Sequence, residues 1–408
     1  MNKKVIFVNR FFWPDESATS QILSDVAFNM NVPNTDTIII TSRLSYSDPN
    51  ERYLDAEDIN GVRIVRVWTS AGGKSLAHKA LAFASFYVTA TIAAWQLLRK
   101  GDVLVAKTDP PLLSIPMLLA TRLRGARLVT WLQDLYPELA GELGVAVARG
   151  MFGNSLRWLR NRSLKAADMN VVIGRRMHDL LVTQGVSPNR TLIIQNWTSD
   201  QTLVPNSDGY QALRAQWGFS SSDIVVGYSG NLGRAHDVGT LLDAARILQE
   251  KGRSDIRFLF IGGGKLREQL SERAEQLGLT NIVCRPYVER AFLAQSLAVS
   301  DIHWLSLRPE LEGMIVPSKF YGIAAAGRPA IFIGAENGEI AQLLANHAAG
   351  LNCQIGDAAR LSGQIEHLAA NPALRATLGA NGRQAIDTEL NQKTALEAWT
   401  SLIKQQTA

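Results

Sequence analysis

Cysteine and histidine are scarce in this sequence, which has two cysteines and six histidines among its 408 residues. Cys284 and Cys353 lack the spacing of a metal-binding pair, and such a low cysteine content fits the reducing cytoplasm. The histidines form no ligand cluster, and the sequence contains no Asp-x-Asp triplet. We therefore predict a protein that binds no metal.

The sequence also has little excess charge. Its 42 basic and 37 acidic residues give a net charge of +5, which is compatible with anionic nucleotides or anionic lipid. The excess is too small and too scattered to indicate a nucleic-acid-binding protein. A chain of 408 residues, 46% of them hydrophobic, is long enough for two folded domains of ordinary size.

Long hydrophobic runs are nearly absent. The apolar run that follows Lys4 is short and is interrupted by Arg10, so it predicts a first β-strand rather than a signal peptide. Residues 80–98 contain no charged residue and approach the length that spans a bilayer. Polar residues dilute this run and basic residues flank it, which favours a buried or interfacial helix over a membrane span.

Two series of apolar runs predict the fold. Seven runs in the first half have the character of strands: residues 4–9, 37–41, 62–68, 102–107, 127–132, 169–173 and 192–195. Six more follow in the second half: residues 224–228, 258–261, 282–284, 302–305, 330–333 and 351–354. Helical stretches separate the first series, at residues 19–30, 80–98, 112–123, 155–166 and 175–184. Continuous Val/Ile/Leu runs that alternate with helices predict doubly wound parallel sheets.

This pattern gives an α/β protein with two tandem Rossmann-like domains that face each other across a cleft. The polar stretch 198–209 separates the two series, so we predict domains at 1–200 and 201–388. The last helix, within 389–408, has no following strand and is expected to cross back to the first domain. Ligands should bind at the carboxyl ends of the strands.

Three turns in the second half combine glycine with basic residues. Their candidate donor-binding residues are Gly230, Asn231 and Arg234 after one strand, Gly262, Gly263 and Lys265 after the next, and Arg285 and Tyr287 after a third. Glycine lets the backbone approach a phosphate closely, and arginine can pair with phosphate oxygens. Tyr287 is a candidate shelf for a nucleobase, although tyrosine there is more often a packing residue. The missing G-x-G-x-x-G fingerprint disfavours a nicotinamide dinucleotide.

A short helix near Pro317 carries the most unusual charge in the sequence. Pro317 suits the first helical position, and Gly327 with Pro329 predicts the end of the helix. Lys319 in the first turn opposes the helix dipole unless an anion lies between them. Ser318 and Lys319 are therefore candidate phosphate ligands, whereas the alternative is a solvated lysine on a surface helix.

The first domain offers a second group of candidates. Ser17 and Ala18 begin a helix and could bring backbone N–H groups to a phosphate, although Ser17 could equally be a plain N-cap. Asp134 follows a strand and could be a base for a hydroxyl nucleophile, with an N-cap as the alternative. Trp13 and Glu138 are candidates for the acceptor side.

Taken in order, these motifs resemble those of the retaining family 4 glycosyltransferases of the GT-B fold, especially bacterial members that build capsule, O-antigen or exopolysaccharide. The motifs are residues 14–21, 133–138, 230–234, 317–319 and 327–329, and the resemblance covers the whole chain. It implies transfer of a hexosyl group from a UDP- or GDP-type sugar, without a cofactor, to a polyprenyl-diphosphate-linked saccharide. It also implies a cytoplasmic protein held peripherally at the inner face of the membrane, where residues 80–98 would make contact.

The same resemblance assigns roles to individual residues. It implies that Ser17 and Ala18 replace a Gly-Gly loop against the diphosphate, and that Gly230, Gly262 and Gly263 line the nucleotide pocket. The arginine and lysine usual in the family after the first glycine turn are replaced by Asn231 and His236. Arg234, Lys265 and Lys319 are then left to balance the diphosphate.

The acidic residues of the family depart further from its pattern. The two positions of its paired glutamates hold Met314 and Gly322 here. Glu312 is the nearest substitute for the sugar-contacting carboxylate, with Glu310 in reserve. Gln133 stands where many members have histidine, so Asp134 and Glu312 are the two candidate catalytic carboxylates.

Two other functions fit the same fold. A nucleotide-sugar 2-epimerase would need several carboxylates and a histidine around the sugar, and the sequence supplies few. A non-enzymatic two-lobed sugar-binding protein would be exported, whereas the sequence shows no signal peptide. Such a binding protein also does not require three glycine and basic turns on one domain.

Overall fold

The structure is a computed structural model that describes residues 2–46, 48, 51–71, 73, 75–198 and 207–408. The chain forms two compact units. Unit 1 comprises Met1–Ser199, Gly313–Ile315 and Gln392–Ala408, and unit 2 comprises Asp200–Glu312 and Val316–Asn391. Most of the predicted linker, including the predicted boundary at 200/201, lies outside the described residues. The last helix groups with unit 1, which contains the first predicted domain.

Unit 1 contains an eight-stranded sheet. Its strands are β1 Lys3–Val8, β2 Thr35–Ser42, β3 Ala56–Ile59, β4 Val62–Val67, β5 Val103–Lys107, β6 Arg127–Leu132, β7 Met169–Val172 and β8 Thr191–Ile193. They are ordered β3-β4-β2-β1-β5-β6-β7-β8, and only β3 runs antiparallel to its neighbour. All seven predicted strands are present. Strand β3 was not predicted, because its residues Ala56-Glu57-Asp58-Ile59 form a short, charged edge hairpin rather than a buried run.

Helices cover both faces of this sheet. They are α1 Ala18–Asn29, α2 Leu76–Leu97, α3 Ser114–Arg124, α4 Glu138–Glu142, α5 Gly150–Ala166 and α6 Arg175–Thr183. Helices α2 and α5 begin four and five residues earlier than predicted, and α4 was not predicted. Short 3-10 helices lie at Ala146–Ala148 and Pro188–Arg190.

Unit 2 contains a six-stranded parallel sheet that matches all six predicted strands. The strands are β9 Ile224–Ser229, β10 Ile256–Ile261, β11 Ile282–Arg285, β12 Ile302–Ser306, β13 Ala330–Ile333 and β14 Gly350–Cys353, in the order β11-β10-β9-β12-β13-β14. Its helices are α7 Ser207–Gln216, α8 Gly239–Glu250, α9 Lys265–Gln276, α10 Leu293–Ala298, α11 Lys319–Ala325, α12 Glu339–Asn346, α13 Ala358–Ala370 and α14 Pro372–Thr388. Short 3-10 helices lie at Arg290–Phe292 and Pro309–Leu311.

The chain ends in α15, Gln392–Thr407, which packs in the core of unit 1. Its Trp399 is fully buried, with ring centroids 4.4 Å from Trp131 and 6.3 Å from Phe7. Burying a large aromatic side chain stabilises the fold by about 3 kcal/mol at the upper end of the usual range. The opposite face of the same sheet packs against α2 and α3 through Phe86 and Met117.

Candidate active site

Two glycine turns of unit 2 pack directly on each other. Gly230 follows β9 with φ 129°, and Gly262 follows β10 with φ 124°, a region that side chains with a Cβ avoid. A Cβ on Gly262 would lie 2.4 Å from the carbonyl oxygen of Gly230, and a Cβ on Gly230 would lie 2.9 Å from Cε of Lys319. Close approach therefore requires glycine at 262, and the backbone conformation favours glycine at 230. Lys319 lies on the bare backbone of the first turn.

Lys319 is a mostly buried cation with neutral neighbours. Its Nζ lies 3.3 Å from Nε2 of His236 and 5.3 Å from the ring centroid of Tyr228. Burial lowers the pKa of Lys319 to about 8. Within the described part of the chain, no carboxylate forms an ion pair with this ammonium. An uncompensated buried cation favours an anionic ligand.

His236 is held in one orientation by the backbone. Its Nδ1–H donates to the carbonyl oxygen of Ser306 over 2.6 Å, which leaves Nε2 to accept from the ammonium of Lys319. Burial, followed by the charge of Lys319, lowers the pKa of His236 to about 4. A neutral imidazole therefore stands where the family carries a cation. The substitution is visible in the sequence, whereas the contact between His236 and Lys319 is not.

Lys319 is also the first residue of α11, with Ser318 as an exposed N-cap. The helix thus begins two residues after Pro317, so the prediction that Pro317 occupies the first helical position is wrong. The predicted end is confirmed, because Gly327 follows the helix with φ 65°.

Tyr287 lies against the second glycine turn. Its ring carbons would be 3.1 Å from a Cβ on either Gly262 or Gly263, and its side chain is 61% exposed. A flat, exposed ring on a glycine backbone could stack a nucleobase. Arg285 is used differently, since its guanidinium donates to the carbonyl oxygens of Trp217 and Cys284, at 3.0 and 3.2 Å.

The other candidates of these turns lie at the surface of unit 2. Asn231, Arg234 and Lys265 are all exposed. Lys265 is the first residue of α9, and its N-cap is Gly264, whose φ is 117°. A Cβ on Gly264 would lie 2.6 Å from Oδ1 of Asn231, so this third glycine also allows the two turns to pack together.

Glu312 caps a helix. Its Oε2 accepts from the backbone N–H of Glu339 over 3.1 Å, at the start of α12. A Cβ on Gly338 would lie 2.2 Å from Oε1 of Glu312, so glycine is needed there for the cap to form. Glu310, the reserve candidate, is exposed and lies 3.6 Å from Nε of Arg308. The sugar contact of Glu312 stays a prediction.

In unit 1, Asp134 lies among buried charges at the carboxyl ends of β5 and β6. Burial and the nearby Asp109 raise the pKa of Asp134 to about 6, and Lys107 opposes that shift. Asp109 has its own pKa raised to about 6 by burial. A small pocket opens beside them, lined by Ala106, Lys107, Thr108, Leu112, Leu113, Ser114, Leu132, Asp134, Leu135, Tyr136 and Arg160. Pro137, not Asp134, is the N-cap of α4, which removes the N-cap alternative for Asp134.

The start of α1 is capped as a plain helix would be. Ser17 Oγ accepts from the backbone N–H of Ser20 over 3.3 Å, while Ala18, the first helical residue, is exposed. Trp13 is 41% exposed, and its carbonyl oxygen accepts from Arg66 over 3.0 Å. Capping by the side chain of Ser17 does not occupy every N–H of the first turn.

The candidate Glu138 and the neighbouring Gln133 both have partners inside unit 1. Glu138 is buried, with ion pairs to Arg160 and Arg157 and a 3.1 Å hydrogen bond from Gln184. Its acceptor-side role stays a prediction. Gln133 forms a reciprocal amide pair with Asn196, at 3.0 and 2.9 Å. In this chain the position where many members have histidine therefore supports the fold.

Comparisons with known proteins identify the class. The model "Glycosyl transferase 4-like domain" matches residues 36–197, and "Glycosyl transferases group 1" matches residues 210–385. The chain belongs to the family 4 glycosyltransferases of the GT-B fold. This membership favours the transferase over both the epimerase and the non-enzymatic alternative.

Individual relatives agree with this class. WbjE of Pseudomonas aeruginosa, described as a probable glycosyltransferase, is 26% identical over 75% of each chain. WcaI of Escherichia coli, named for colanic acid biosynthesis, is 27% identical over 57% of this chain and 58% of its own. The crystal structure of HepE from Anabaena in complex with UDP superposes with a TM-score of 0.72, over 98% of this chain and all of that one, at 13% identity.

Among the described residues, no three His, Cys, Asp or Glu side chains lie close enough together to hold a metal ion. Metal independence stays a prediction. One described helix, Ala77–Leu97 within α2, is long and apolar enough to cross a membrane by length and composition, with 28% of its most apolar window buried. The buried share comes from the face that packs on the sheet of unit 1.

Proposed function

We propose that this glycosyltransferase is a retaining, metal-independent hexosyltransferase of cell-surface polysaccharide biosynthesis. It would move a sugar from a UDP- or GDP-type nucleotide sugar to a polyprenyl-diphosphate-linked saccharide. The observation that carries the proposal is Lys319, a mostly buried ammonium on the glycine backbone of unit 2 that lacks a carboxylate partner among the described residues. The name of WcaI and the complex of HepE with UDP support the pathway and the donor class.

Departure of the nucleoside diphosphate is the main electrostatic problem of the reaction. The leaving group gains negative charge as the bond to the anomeric carbon breaks, and fixed positive charge stabilises that transition state. Lys319 would supply this charge, and the bare backbone at Gly230, Gly262 and Gly263 would let the phosphates approach closely. Tyr287 would stack the base.

A retaining reaction at this site does not require a strong protein base. If the acceptor hydroxyl attacks on the face that the diphosphate leaves, the departing phosphate oxygen can accept its proton. Asp134 in unit 1 would then stabilise the developing positive charge of the sugar or orient the hydroxyl. Glu312 would contact hydroxyl groups of the donor sugar.

The donor assignment is tested by thermal-shift measurements with UDP, GDP, dTDP and ADP. The matching nucleoside diphosphate should stabilise the protein in proportion to its affinity, by about 2.7 kcal/mol at a hundredfold excess over Kd. The matching nucleoside without phosphates should stabilise it much less. If none of the four diphosphates shifts the melting temperature, the proposal is wrong.

We propose further that the protein lies peripherally at the inner face of the cytoplasmic membrane. We name as the three-helix apolar surface the exposed large apolar side chains of three helices that pack side by side. They are Leu81, Val88, Ile92 and Trp95 of α2, Leu119 and Leu123 of α3, and Met151, Phe152, Trp158 and Leu159 of α5. Tryptophan and arginine together suit the lipid–water interface. Here Arg124 lies over Trp95 at 5.4 Å, and Arg162 lies over Trp158 at 5.0 Å.

Vesicle flotation tests this surface. The protein should bind vesicles containing phosphatidylglycerol and be released by high salt, and it should leave native membranes in alkaline carbonate. A Trp95→Ser and Trp158→Ser double variant should bind weakly. Phe292→Ser, which removes an exposed aromatic residue of unit 2, should bind like the parent. Protein that resists carbonate would show that α2 spans the membrane instead.

A further inference from the structure

Lys107, the last residue of β5, is a second buried lysine that the proposed mechanism leaves without a role. Its side chain is 2% exposed, and its Nζ donates to the carbonyl oxygen of Thr19 in the first turn of α1. The same ammonium lies 4.1 Å from the ring centroid of Trp131, on β6. Nζ of Lys107 thus contacts both the first turn of α1 and the carboxyl end of β6, the strand that precedes Asp134.

Lys107 is surrounded by titratable groups from several elements of unit 1. Asp109, Asp134 and Asp25 favour its charged form, and burial opposes it so strongly that the pKa of Lys107 falls to about 7. Further titratable groups surround these carboxylates: Arg10 and Tyr87 beside Asp109, Tyr136 beside Asp134, and Arg160 with its partner Glu138 at the pocket. Lys107 and Asp134 both line that pocket.

We propose that Lys107 is a positioning residue that keeps Asp134 ionised and fixes the first turn of α1. This inference rests on the proposed role of Asp134 in transfer. The ammonium acts on Asp134 through its charge, and on α1 through its hydrogen bond to Thr19. If Lys107 becomes neutral, Asp134 loses the cation that favours its charged form, while Asp109 continues to repel that charge.

Two substitutions separate these effects. Lys107→Gln removes the charge but keeps an N–H donor on the side facing the carbonyl oxygen of Thr19. Lys107→Met removes both in a side chain of similar length. An opposite charge lowers the pKa of a carboxyl group, so both variants should raise the titration midpoint of Asp134 above that of the parent.

The titration of Asp134 is measured by 13C NMR on protein labelled at aspartate, and the Asp134→Asn variant assigns its signal. This measurement does not depend on transferase activity, so it can fail or succeed separately from the proposed function. Where transfer is measured, the acid limb of kcat against pH should move upward in step with the NMR midpoint. Lys107→Arg, which keeps the charge, should keep the limb near its position in the parent.

Hydrogen exchange tests the second part. The amides of the first turn of α1 should exchange faster in Lys107→Met than in Lys107→Gln. If Lys107→Met fails to fold, the Gln variant still decides the electrostatic part. An Asp134 midpoint identical in the parent and the Gln variant, or a kcat lowered equally at every pH, would leave Lys107 a purely structural residue and overturn the inference.

Discussion

Replacing Lys319 by methionine removes the charge on which the donor assignment depends while keeping most of the side chain's length. The hydrogen bonds of an ionised group contribute about 1.5–3 kcal/mol. Loss of Lys319 should therefore weaken binding of the matching nucleoside diphosphate by about 10- to 150-fold. Binding of the nucleoside without phosphates should not change, because Lys319 is proposed to contact the diphosphate alone.

The affinity for the diphosphate should also depend on pH, because only the charged form of Lys319 attracts it. Burial lowers the pKa of Lys319 from 10.5 to about 8, so the ammonium is charged in the free protein below pH 8 and loses its proton above it. Binding of the diphosphate above pH 8 then requires uptake of a proton, and Kd should rise by up to about tenfold per pH unit. Lys319→Met should show no such rise.

The free protein should not lose stability in this variant. Because the folded-state pKa of Lys319 is lowered, the unfolded chain holds a proton that the folded chain lacks between about pH 8 and pH 10.5. Stability contributed by this group therefore increases through that window, and at pH 7.5 its burial is unfavourable. The melting temperature of Lys319→Met at pH 7.5 should match or exceed that of the parent.

Calorimetric titration with UDP and GDP between pH 6.5 and 9.5 measures these effects, and a thermal melt measures the stability of each variant. Lys393→Met, which changes an exposed lysine of α15, is the matched control and should bind like the parent. Equal diphosphate affinity in Lys319→Met and the parent at pH 7 would refute the role of Lys319.

Three further predictions concern catalysis. Asp134→Asn should lower kcat by about 100-fold or more with little change in donor KM. Burial raises the pKa of Asp134 to about 6, so its negative charge is unfavourable to the folded state above that pH. The melting temperature of the variant at pH 7.5 should therefore not fall. Transfer at the parental rate would contradict this. Glu312→Gln should raise donor KM but leave the affinity for the sugar-free nucleoside diphosphate unchanged, and an equal loss for both ligands would indicate a purely structural cap. Turnover should survive EDTA, whereas activity that is lost on chelation and restored by Mn²⁺ or Mg²⁺ would show metal dependence.

Most of the sheet architecture could be predicted because buried parallel strands have a local signature. Most predicted runs are rich in apolar residues and form strands whose side chains are largely buried, so the sequence of the strand alone indicates its burial. Strand β3 lacks this signature, since its alternating exposed residues pair only with β4 in an edge hairpin. The short helix α4 begins at Glu138, whose partners Arg157 and Arg160 lie on α5 and are distant in sequence.

Some residues of the candidate site could also be predicted from the sequence, and others could not. Position at the carboxyl end of a strand or the start of a helix is visible in sequence, and it led to Asp134, Lys319 and the glycine turns. The partners of those residues are distant in sequence, so no local pattern reveals them. His236 meets Lys319 across 83 residues, and Gln133 meets Asn196 across 63. One further residue of the site had a signal in the sequence: Lys107 is a charged residue at the end of an apolar strand.

Burial alone does not distinguish a lysine that binds a ligand from one that supports the fold. Lys107 and Lys319 are both largely removed from water, and burial lowers the pKa of each. Around Lys107, three aspartates already balance the charge, so an arriving anion would meet their repulsion. Lys319 faces a neutral imidazole, a phenol ring and glycine backbone, none of which neutralises it. The unfavourable burial of that ammonium is relieved only when an anion binds, and this makes Lys319, rather than the more deeply buried Lys107, the residue expected to meet the diphosphate.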